Sequence, residues 1–306
     1  MFKEAKMLAL IVETPLHVGS GNDLGIVDLP IQREKHTNFP KIEASGLKGC
    51  LREAFEHLNP PESCRNLAEL YQERWIAPLF GPEKEGELYA GALGFTDARL
   101  LLFPVKSLKG VFAWITCPMV LERLKRDLEM ANIPFPAFDP AALEQTVPGV
   151  SLCVKDTVVL EEYAFKVDRN DACKQLAEWC SVNLIPEQPA YQFWQTKLKT
   201  DLVVLRNKDF QDFVTMSTEV IARTRIENST GTVADGALWY EEYLPTDTLL
   251  YSLVLATSLL NSDSELQNVF PSEQKIMEFF IKGLPPVIQV GGNATIGKGL
   301  VRTKIL

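Results

Sequence analysis

Strand-like and helix-like segments alternate along the 306-residue chain without a regular period. The first, residues 7–13, is an apolar run that predicts a buried strand, and Pro15 ends it because proline cannot donate to a strand ladder. Similar patterns predict strands at residues 88–95, 100–105, 157–165, 287–290 and 300–305, and helices at residues 42–58, 120–130, 172–182 and 272–281. This mixture predicts an α+β fold with an antiparallel or mixed sheet, and it excludes a solenoid or a doubly wound fold.

The composition allows a sizeable folded core, because 46% of the residues are hydrophobic and 23% are charged. The apolar run near the start of the sequence is too short for a signal peptide or a membrane span. We therefore expect a soluble cytoplasmic protein that does not bind a membrane.

Cysteine usage favours buried free thiols over a zinc site or a disulfide framework. No C-x-x-C pair occurs, and only three histidines accompany the cysteines. Buried free thiols are the ordinary state of cysteine in a cytosolic chain. The six cysteines are Cys50, Cys64, Cys117, Cys153, Cys173 and Cys180.

The net charge of −9 and the pI near 5.1 argue against a nucleic-acid-binding protein, whose affinity for phosphate normally comes from a basic surface. The end of the sequence departs from this average. Residues 282–306 contain Lys282, Lys298, Arg302 and Lys304 but no acidic residue. Because local fields rather than totals attract phosphate, this segment keeps an RNA-binding hypothesis open.

A glycine-rich segment, residues 14–36, contains one imidazole, His17, and one carboxylate, Asp28. Glycines permit close approach of a ligand to the backbone. A carboxylate can hold a divalent metal or accept a proton, and histidine transfers protons near neutral pH. On pattern alone, an isolated loop aspartate more often caps a turn than catalyses, and His17 more often makes a structural hydrogen bond.

A second motif opens the helix predicted over residues 42–58. Ser45 is its predicted N-cap, and Lys48 and Arg52 follow one turn apart. Exposed N–H groups and the helix dipole favour anions at such an end, so Lys48 could contact a phosphate. A capped helix whose two cations simply face water explains the same pattern equally well.

The third motif, residues 289–302, includes Gly291 and a near match to a phosphate-binding P-loop from Gly292 to Lys298. Gly299 stands where that loop needs serine or threonine for magnesium, and too few residues follow to form the required helix. ATP hydrolysis is therefore not expected here. Backbone amides and Lys298 could still contact an RNA backbone.

Residues 223–243 combine two half-alternating runs with polar turns near residues 229–231 and 235–236. This pattern predicts a protruding β-hairpin, although an ordinary hairpin within a sheet fits it equally well.

Taken in order, these motifs resemble the RAMP superfamily of CRISPR proteins, and within it the family of the fourth subunit of the type III-B Cmr complex. The likeness spans most of the chain. It is carried by residues 14–21, 24–37, 45–49, 104–107, 116–118, 236–242 and 291–302. The resemblance implies one RNA-recognition-motif-like, ferredoxin-like palm over residues 1–306, with insertions near 61–87 and 131–156 and a thumb hairpin at 223–243.

The resemblance also implies a function. Several copies would line a guide RNA (crRNA) together with other Cmr subunits, and the thumb would interrupt pairing with a single-stranded target RNA at regular intervals. A splayed target nucleotide can bring its 2′-hydroxyl into line with the adjacent phosphate, which a continuous A-form helix forbids. The family is therefore expected to cleave target RNA with a divalent metal, most simply Mg²⁺.

Residue roles are carried over position by position. Asp28 matches the family's cleavage aspartate, as a metal ligand or as the base for the 2′-hydroxyl, with His17 nearby and either Glu241 or Glu242 as support. The RNA-binding set implied by the resemblance is Lys48, Arg52, Gly291, Gly292, Lys298, Arg302, Arg223, Arg225 and Leu238 or Trp239. Two alternatives stay open: a non-catalytic RNA-binding subunit in which Asp28 only fixes its loop, and a guide-processing nuclease from a sister family.

Overall fold

The computed structural model describes residues 2–22, 25–56, 72–82, 90–260 and 264–306, with side chains of residues 72–74 left out. In these residues the α-helices are α1 (Ala44–Glu56), α2 (Gln72–Phe80), α3 (Pro118–Met130), α4 (Asp171–Leu184), α5 (Gln192–Thr200), α6 (Asn207–Met216), α7 (Ser264–Val269) and α8 (Glu273–Gly283). The strands are β1 (Glu4–Val12), β2 (Lys41–Ile42), β3 (Leu93–Phe95), β4 (Ala98–Lys106), β5 (Phe112–Thr116), β6 (Thr146–Val147), β7 (Cys153–Val154), β8 (Thr157–Leu160), β9 (Tyr163–Lys166), β10 (Asp168–Arg169), β11 (Leu202–Val204), β12 (Glu219–Ile226), β13 (Val233–Tyr243), β14 (Leu249–Ala256), β15 (Val287–Gln289) and β16 (Leu300–Ile305).

A mixed sheet of eleven strands organises the described residues, in the order β10-β6-β11-β5-β4-β14-β1-β16-β15, with β2 beside β4 and β3 beside β14. Most neighbours are antiparallel, while β10 with β6 and β11 with β5 run parallel. The predicted α+β fold with a mixed sheet is therefore confirmed. Where described, no helix is long and apolar enough to cross a membrane.

The core lies where β1 pairs with β14 on one side and with β16 on the other. Residues 7–12 of β1 are buried on both faces, as expected for a central strand covered by helices. Helices α1 and α8 cover one part of this sheet, and their rings Phe55 and Phe280 stack with centroids 5.4 Å apart. The glycine-rich segment departs from the end of β1.

Two local predictions are wrong. Ser45 is the second residue of α1 and not its N-cap. Asp97 supplies the cap from another segment, because its Oδ1 accepts from the backbone N of Ala44 at 2.9 Å. Residues 157–165 form the hairpin β8–β9 rather than one strand, with Glu161 in the left-handed region at φ 51°.

The two predicted insertions have different outcomes in the structure. Most of 61–87 lies outside the described residues, apart from α2 and the two residues after it. Residues 131–156 contain a short 3₁₀ helix, β6 and β7, and β6 pairs with β10 and β11 of the large sheet. Leu143 and Val147 of this segment are buried, so it contributes to the core.

Strands β12 and β13 form a separate two-stranded antiparallel sheet over the region predicted as a hairpin. Thr224 pairs with Leu238, whereas Ile226 pairs with Val233, so residues 234–237 bulge out of the ladder. Gly236, at φ 67°, lies in this bulge, which replaces the second turn predicted there.

Five cysteines lie in the described residues as free thiols. Four are buried and Cys50 is half-buried, while Cys64 lies outside the described residues. Burial raises the pKa of Cys117 and of Cys173 to about 12, so neither thiol is ionised at neutral pH.

Candidate functional site

Three segments meet at the edge of β13 that does not pair with β12. Residues 14–19 pair with it through Leu16 and Leu244, which exchange backbone hydrogen bonds of 3.0 and 2.9 Å. Residues 28–33 run parallel to it, with Leu29 N donating to Tyr240 O at 3.0 Å. The glycine loop, residues 290–299 between β15 and β16, closes over the first segment through Gly292 N and His17 O at 2.9 Å.

Glycine is required at two positions of the glycine loop. Gly291 has φ 75°, and a Cβ there would lie 2.2 Å from His17 O. Gly299 has the same φ, and its Cβ would lie 2.1 Å from Val290 O. The loop therefore packs directly on the backbone that carries His17. Strand β16 follows it where a P-loop needs a helix.

Asp28 is exposed and is fixed to the hairpin by one hydrogen bond. Its Oδ2 accepts from the backbone N of Tyr240 at 2.7 Å. Within the part of the chain that the structure describes, no hydrogen bond is seen to its Oδ1. One carboxylate oxygen thus positions the side chain, and the other faces solvent, where a ligand can reach it.

His17 is half-buried and held in one orientation. Its Nδ1 lies 2.7 Å from the carbonyl oxygen of Glu242, so Nδ1 carries the proton and donates it to that carbonyl. Nε2 is then the basic nitrogen of the neutral ring. A Cβ at Gly19 would lie 2.9 Å from Nε2, so glycine at this position keeps that nitrogen uncovered.

The anchors of Asp28 and His17, Tyr240 N and Glu242 O, stand two residues apart on β13. At about 3.4 Å per residue the anchors are about 7 Å apart along the strand. A free carboxylate oxygen and a basic imidazole nitrogen beside one strand edge can accept a proton from a hydroxyl, and the carboxylate can also hold a divalent cation.

Glu242 has a structural environment. It is 5% exposed, and its Oε1 accepts from Arg33 Nη2 at 2.5 Å and from Thr218 Oγ1 at 2.7 Å. Its Oε2 accepts from Ile31 N at 3.0 Å. The carboxylate therefore ties residues 31–33 to the base of the hairpin, and both of its oxygens are engaged.

Glu241 points to the opposite face of β13, because successive strand residues alternate. Its carboxylate accepts from Trp239 Nε1 at 2.8 Å, from Arg223 Nε at 3.2 Å and from Asn293 Nδ2 at 3.0 Å, and also from the hydroxyl of Tyr243. Burial alone would raise the pKa of Glu241, but the hydrogen bonds from Tyr243, Trp239 and Arg223 outweigh it. The net pKa is lowered, so Glu241 is ionised.

Tyr243 and Asn293 belong to the site although the sequence analysis did not single them out. The Tyr243 hydroxyl accepts from Asn293 Nδ2 and from Arg223 Nη2, each at 2.8 Å, and its ring lies 5.5 Å from that of His17. Asn293 connects the glycine loop to the hairpin. The available signals were weak: Tyr243 is two and four residues after Glu241 and Trp239, and Asn293 stands in a glycine-rich turn.

Of the four basic residues near the end of the sequence, Lys298 lies at the site, with Nζ 5.1 Å from the ring centre of Tyr243. Arg302 Nε donates to Glu13 at 2.6 Å. Lys304 Nζ donates to two backbone carbonyls, and burial lowers its pKa. Lys282 is exposed on α8. These residues therefore do not act as one basic surface.

Lys48 and Arg52 lie on α1 and are both half-buried. Lys48 Nζ donates to Leu93 O at 3.0 Å, and burial followed by repulsion from Arg52 lowers the pKa of Lys48. Arg52 donates to Glu56 at 2.8 Å and to Gly81 O at 2.5 Å. Arg52 is thus engaged within the protein, while Lys48, with three N–H donors, has one hydrogen-bond partner among the described residues.

The hairpin exposes one apolar face. Cross-strand pairing places Val220, Leu238 and Tyr240 on it, with 49%, 55% and 41% of their surfaces exposed. Trp239 lies on the other face, toward Glu241. Arg225 is exposed near the tip. Of the two residues considered as a wedge, Leu238 is the one presented to solvent.

A metal fits this site only together with a substrate. Where side chains are described, no three His, Cys, Asp or Glu residues are grouped so as to hold a metal ion. Magnesium commonly keeps several waters and binds through one or two carboxylates plus phosphate oxygens. Asp28 Oδ1, which has no hydrogen bond from the residues that the structure describes, fits that mode, and it does not fit an all-protein cage.

Comparisons with known proteins agree on one family. The profile of the RAMP superfamily matches residues 9–302. The chain is 40% identical over 305 residues to the "CRISPR system Cmr endoribonuclease Cmr4" of Pyrococcus furiosus, covering 99% of this chain and 96% of that protein. It is 26% identical over 313 residues to the "CRISPR system CMR subunit Cmr4" of Saccharolobus solfataricus, covering 96% and 94%.

A solved structure has the same fold. The crystal structure of oligomeric Cmr4 from Pyrococcus furiosus superposes with a TM-score of 0.68 at 32% identity, covering 99% of this chain and 97% of that one. The likeness therefore extends over the sheet, the hairpin and the loops that form the site.

Proposed function

Because this chain belongs to the RAMP superfamily, and within it to the Cmr4 family, we propose that it is a backbone subunit of a cytoplasmic type III-B CRISPR effector complex and that it cleaves target RNA. Copies of the chain line a guide RNA beside other Cmr subunits, and a complementary single-stranded RNA pairs with the guide. The observation that carries the proposal is the pairing of Asp28 and His17 on one strand edge at the base of the hairpin.

In the proposed reaction the 2′-oxygen of a splayed target nucleotide forms a bond to the adjacent phosphorus, and the bond from phosphorus to the 5′-oxygen breaks. The 2′-hydroxyl proton passes to a base, which is Asp28 or His17 Nε2. The leaving 5′-oxygen takes up a proton. The products are a 2′,3′-cyclic phosphate and a 5′-hydroxyl, and water is not consumed in this step.

Each side chain contributes something specific to that step. Asp28 would either accept the 2′-hydroxyl proton or hold Mg²⁺, and a bound ion would supply charge stabilisation at the phosphate. His17 is held in its Nε2-basic form by the Glu242 carbonyl. Lys298, above Tyr243, adds a positive charge beside the hairpin. The Glu241–Tyr243 network fixes the strand that carries both anchors.

We expect the assembled complex to cut labelled complementary RNA into an evenly spaced ladder with magnesium and to leave it intact with a chelator. Fragments should carry cyclic phosphate ends. A target with a single 2′-deoxy nucleotide at one cleavage position should lose that band alone, because the nucleophile is missing there. Cutting at the deoxy position, or fragments with 5′-phosphate ends, would contradict attack by the 2′-hydroxyl.

A second function is favoured by one contact. The bond between Asp28 Oδ2 and Tyr240 N is what a purely structural aspartate would make to hold its loop. In this alternative the chain binds guide RNA without cleaving the target. No ladder would form in any divalent metal, while guide binding would be retained.

Lys48→Ala is expected to weaken guide RNA binding equally for guides of different sequence, because a phosphate contact carries no base information. Loss of one phosphate contact lowers the slope of log K against log salt by about 0.7 for a single strand. Binding is measured by titration at several salt concentrations. The control variant is Lys208→Ala, which removes an exposed lysine of α6. A slope equal to that of the unmodified protein would show that Lys48 does not contact the RNA backbone. Thermal unfolding checks whether losing the bond to Leu93 O matters.

A further inference from the structure

A cavity of about 260 Å³ lies beyond the end of β1, and the proposed reaction does not use it. Its aromatic walls are Trp114 of β5, Tyr191, which directly precedes α5, and Trp194 of α5. The two indole rings stand nearly perpendicular, at 79° with centroids 6.5 Å apart. The π-face of an indole ring attracts organic cations, and tryptophan is the ring best suited to this interaction.

Two carboxylates, Glu13 and Asp247, also line this cavity. The negative charge of Glu13 is already paired, because its Oε1 accepts from Arg302 Nε at 2.6 Å and also from the Tyr191 hydroxyl. The Arg302 guanidinium lies 4.8 Å from the centre of the Tyr191 ring. One wall of the cavity thus already binds a guanidinium by stacking and ion pairing.

Asp247 is the charge that stays uncompensated. Its backbone is fixed, with N donating to Val12 O at 2.8 Å and O accepting from Trp114 Nε1 at 2.8 Å. Among the described residues its carboxylate oxygens have no hydrogen-bond or ion-pair partner. Burial and the nearby Glu13 raise the pKa of Asp247 to about 6, and Lys197 offsets only part of this. A half-buried carboxylate in a cavity lined by aromatic side chains is the complement of a cation.

We propose that this cavity binds a guanidinium or alkylammonium group, with Asp247 as the ion-pairing residue and Trp114 and Trp194 as the rings that contact it. The volume suits a group of side-chain size and is smaller than typical pockets for drug-sized ligands. The natural cation is either a free small molecule, such as a polyamine, or a basic side chain of a second copy of the chain. Both have the same chemistry.

The test compares ethylguanidinium with ethylurea, which has nearly the same shape without the charge. Ligand-observed NMR titration of the full-length protein is expected to show ethylguanidinium binding at least about tenfold more tightly. Asp247→Asn should abolish that preference. Asparagine suits the position because Asp247 is in the left-handed region, at φ 66°, which asparagine also adopts readily.

Asp168→Asn is the matched control, since Asp168 is an exposed acid on β10 that does not line the cavity. It should leave the preference unchanged. Equal affinity for the two compounds, no binding of either, or an unchanged preference in Asp247→Asn would each overturn the proposal. Sedimentation with ethylguanidinium separates the sources: dissociation of oligomers identifies a side chain of a second copy, and unchanged sedimentation identifies a free cation.

Discussion

Asp28→Asn is expected to reduce target RNA cleavage by about 10²- to 10⁴-fold, the usual contribution of a positioned acid–base group. The substitution removes the negative charge that would accept a proton or hold Mg²⁺. It keeps a side-chain oxygen that can accept from Tyr240 N, so the loop stays anchored to the hairpin. Cleavage of labelled complementary RNA by the reconstituted complex is measured in single turnover, with guide binding measured in parallel.

Two further variants separate chemistry from structure at this position. Asp28→Ala loses both the charge and the bond to Tyr240 N, so it should cleave no better than Asp28→Asn and should also loosen the loop. Asp235→Asn removes an exposed acid in the hairpin bulge and should cleave normally. If Asp28→Asn cleaves like the unmodified complex and only Asp28→Ala fails, Asp28 is a loop anchor, and its charge takes no part in the cleavage reaction.

The sequence predicted most of the fold where apolar residues recur with a clear period, as in α1 and β16. It gave no element for β14, the strand beside β1, because residues 249–256 are almost uniformly apolar and nearly all buried. A strand covered on both faces lacks the alternation that separates strand from helix. The turn at Glu161 was missed for a different reason: glutamate is not a typical turn residue.

For the site, the sequence pointed to Asp28 and His17 through their glycine-rich surroundings and the family resemblance. It could not show that both are held by β13, more than 200 residues away in the chain, because long-range register leaves no local pattern. The same register separates Glu241 from Glu242. Because side chains alternate along the strand, Glu242 contacts Arg33 and Glu241 contacts Tyr243. The sequence alone does not show which of the two glutamates lies on which face.

Glu242→Ala is expected to lower the free energy of unfolding by about 3–5 kcal/mol, the usual cost of removing one partner of a buried ion pair. Arg33 Nη2, Thr218 Oγ1 and Ile31 N would each lose the Glu242 oxygen to which they donate. Urea unfolding of the full-length chain measures the effect as a lower midpoint at an unchanged slope. Asp212→Ala is the control: it breaks an exposed i, i+4 pair with Lys208 and should cost less than about 1 kcal/mol.

Glu242→Gln tests whether charge or hydrogen bonding stabilises the hairpin base. Glutamine keeps one acceptor oxygen but leaves the Arg33 guanidinium without a counter-charge, so we expect an intermediate loss of about 1–3 kcal/mol. Because Glu242 O also orients His17, cleavage should fall only to the extent that the loop loosens. A Glu242→Gln variant with full stability and greatly reduced cleavage would place Glu242 in the reaction rather than in the support of the site.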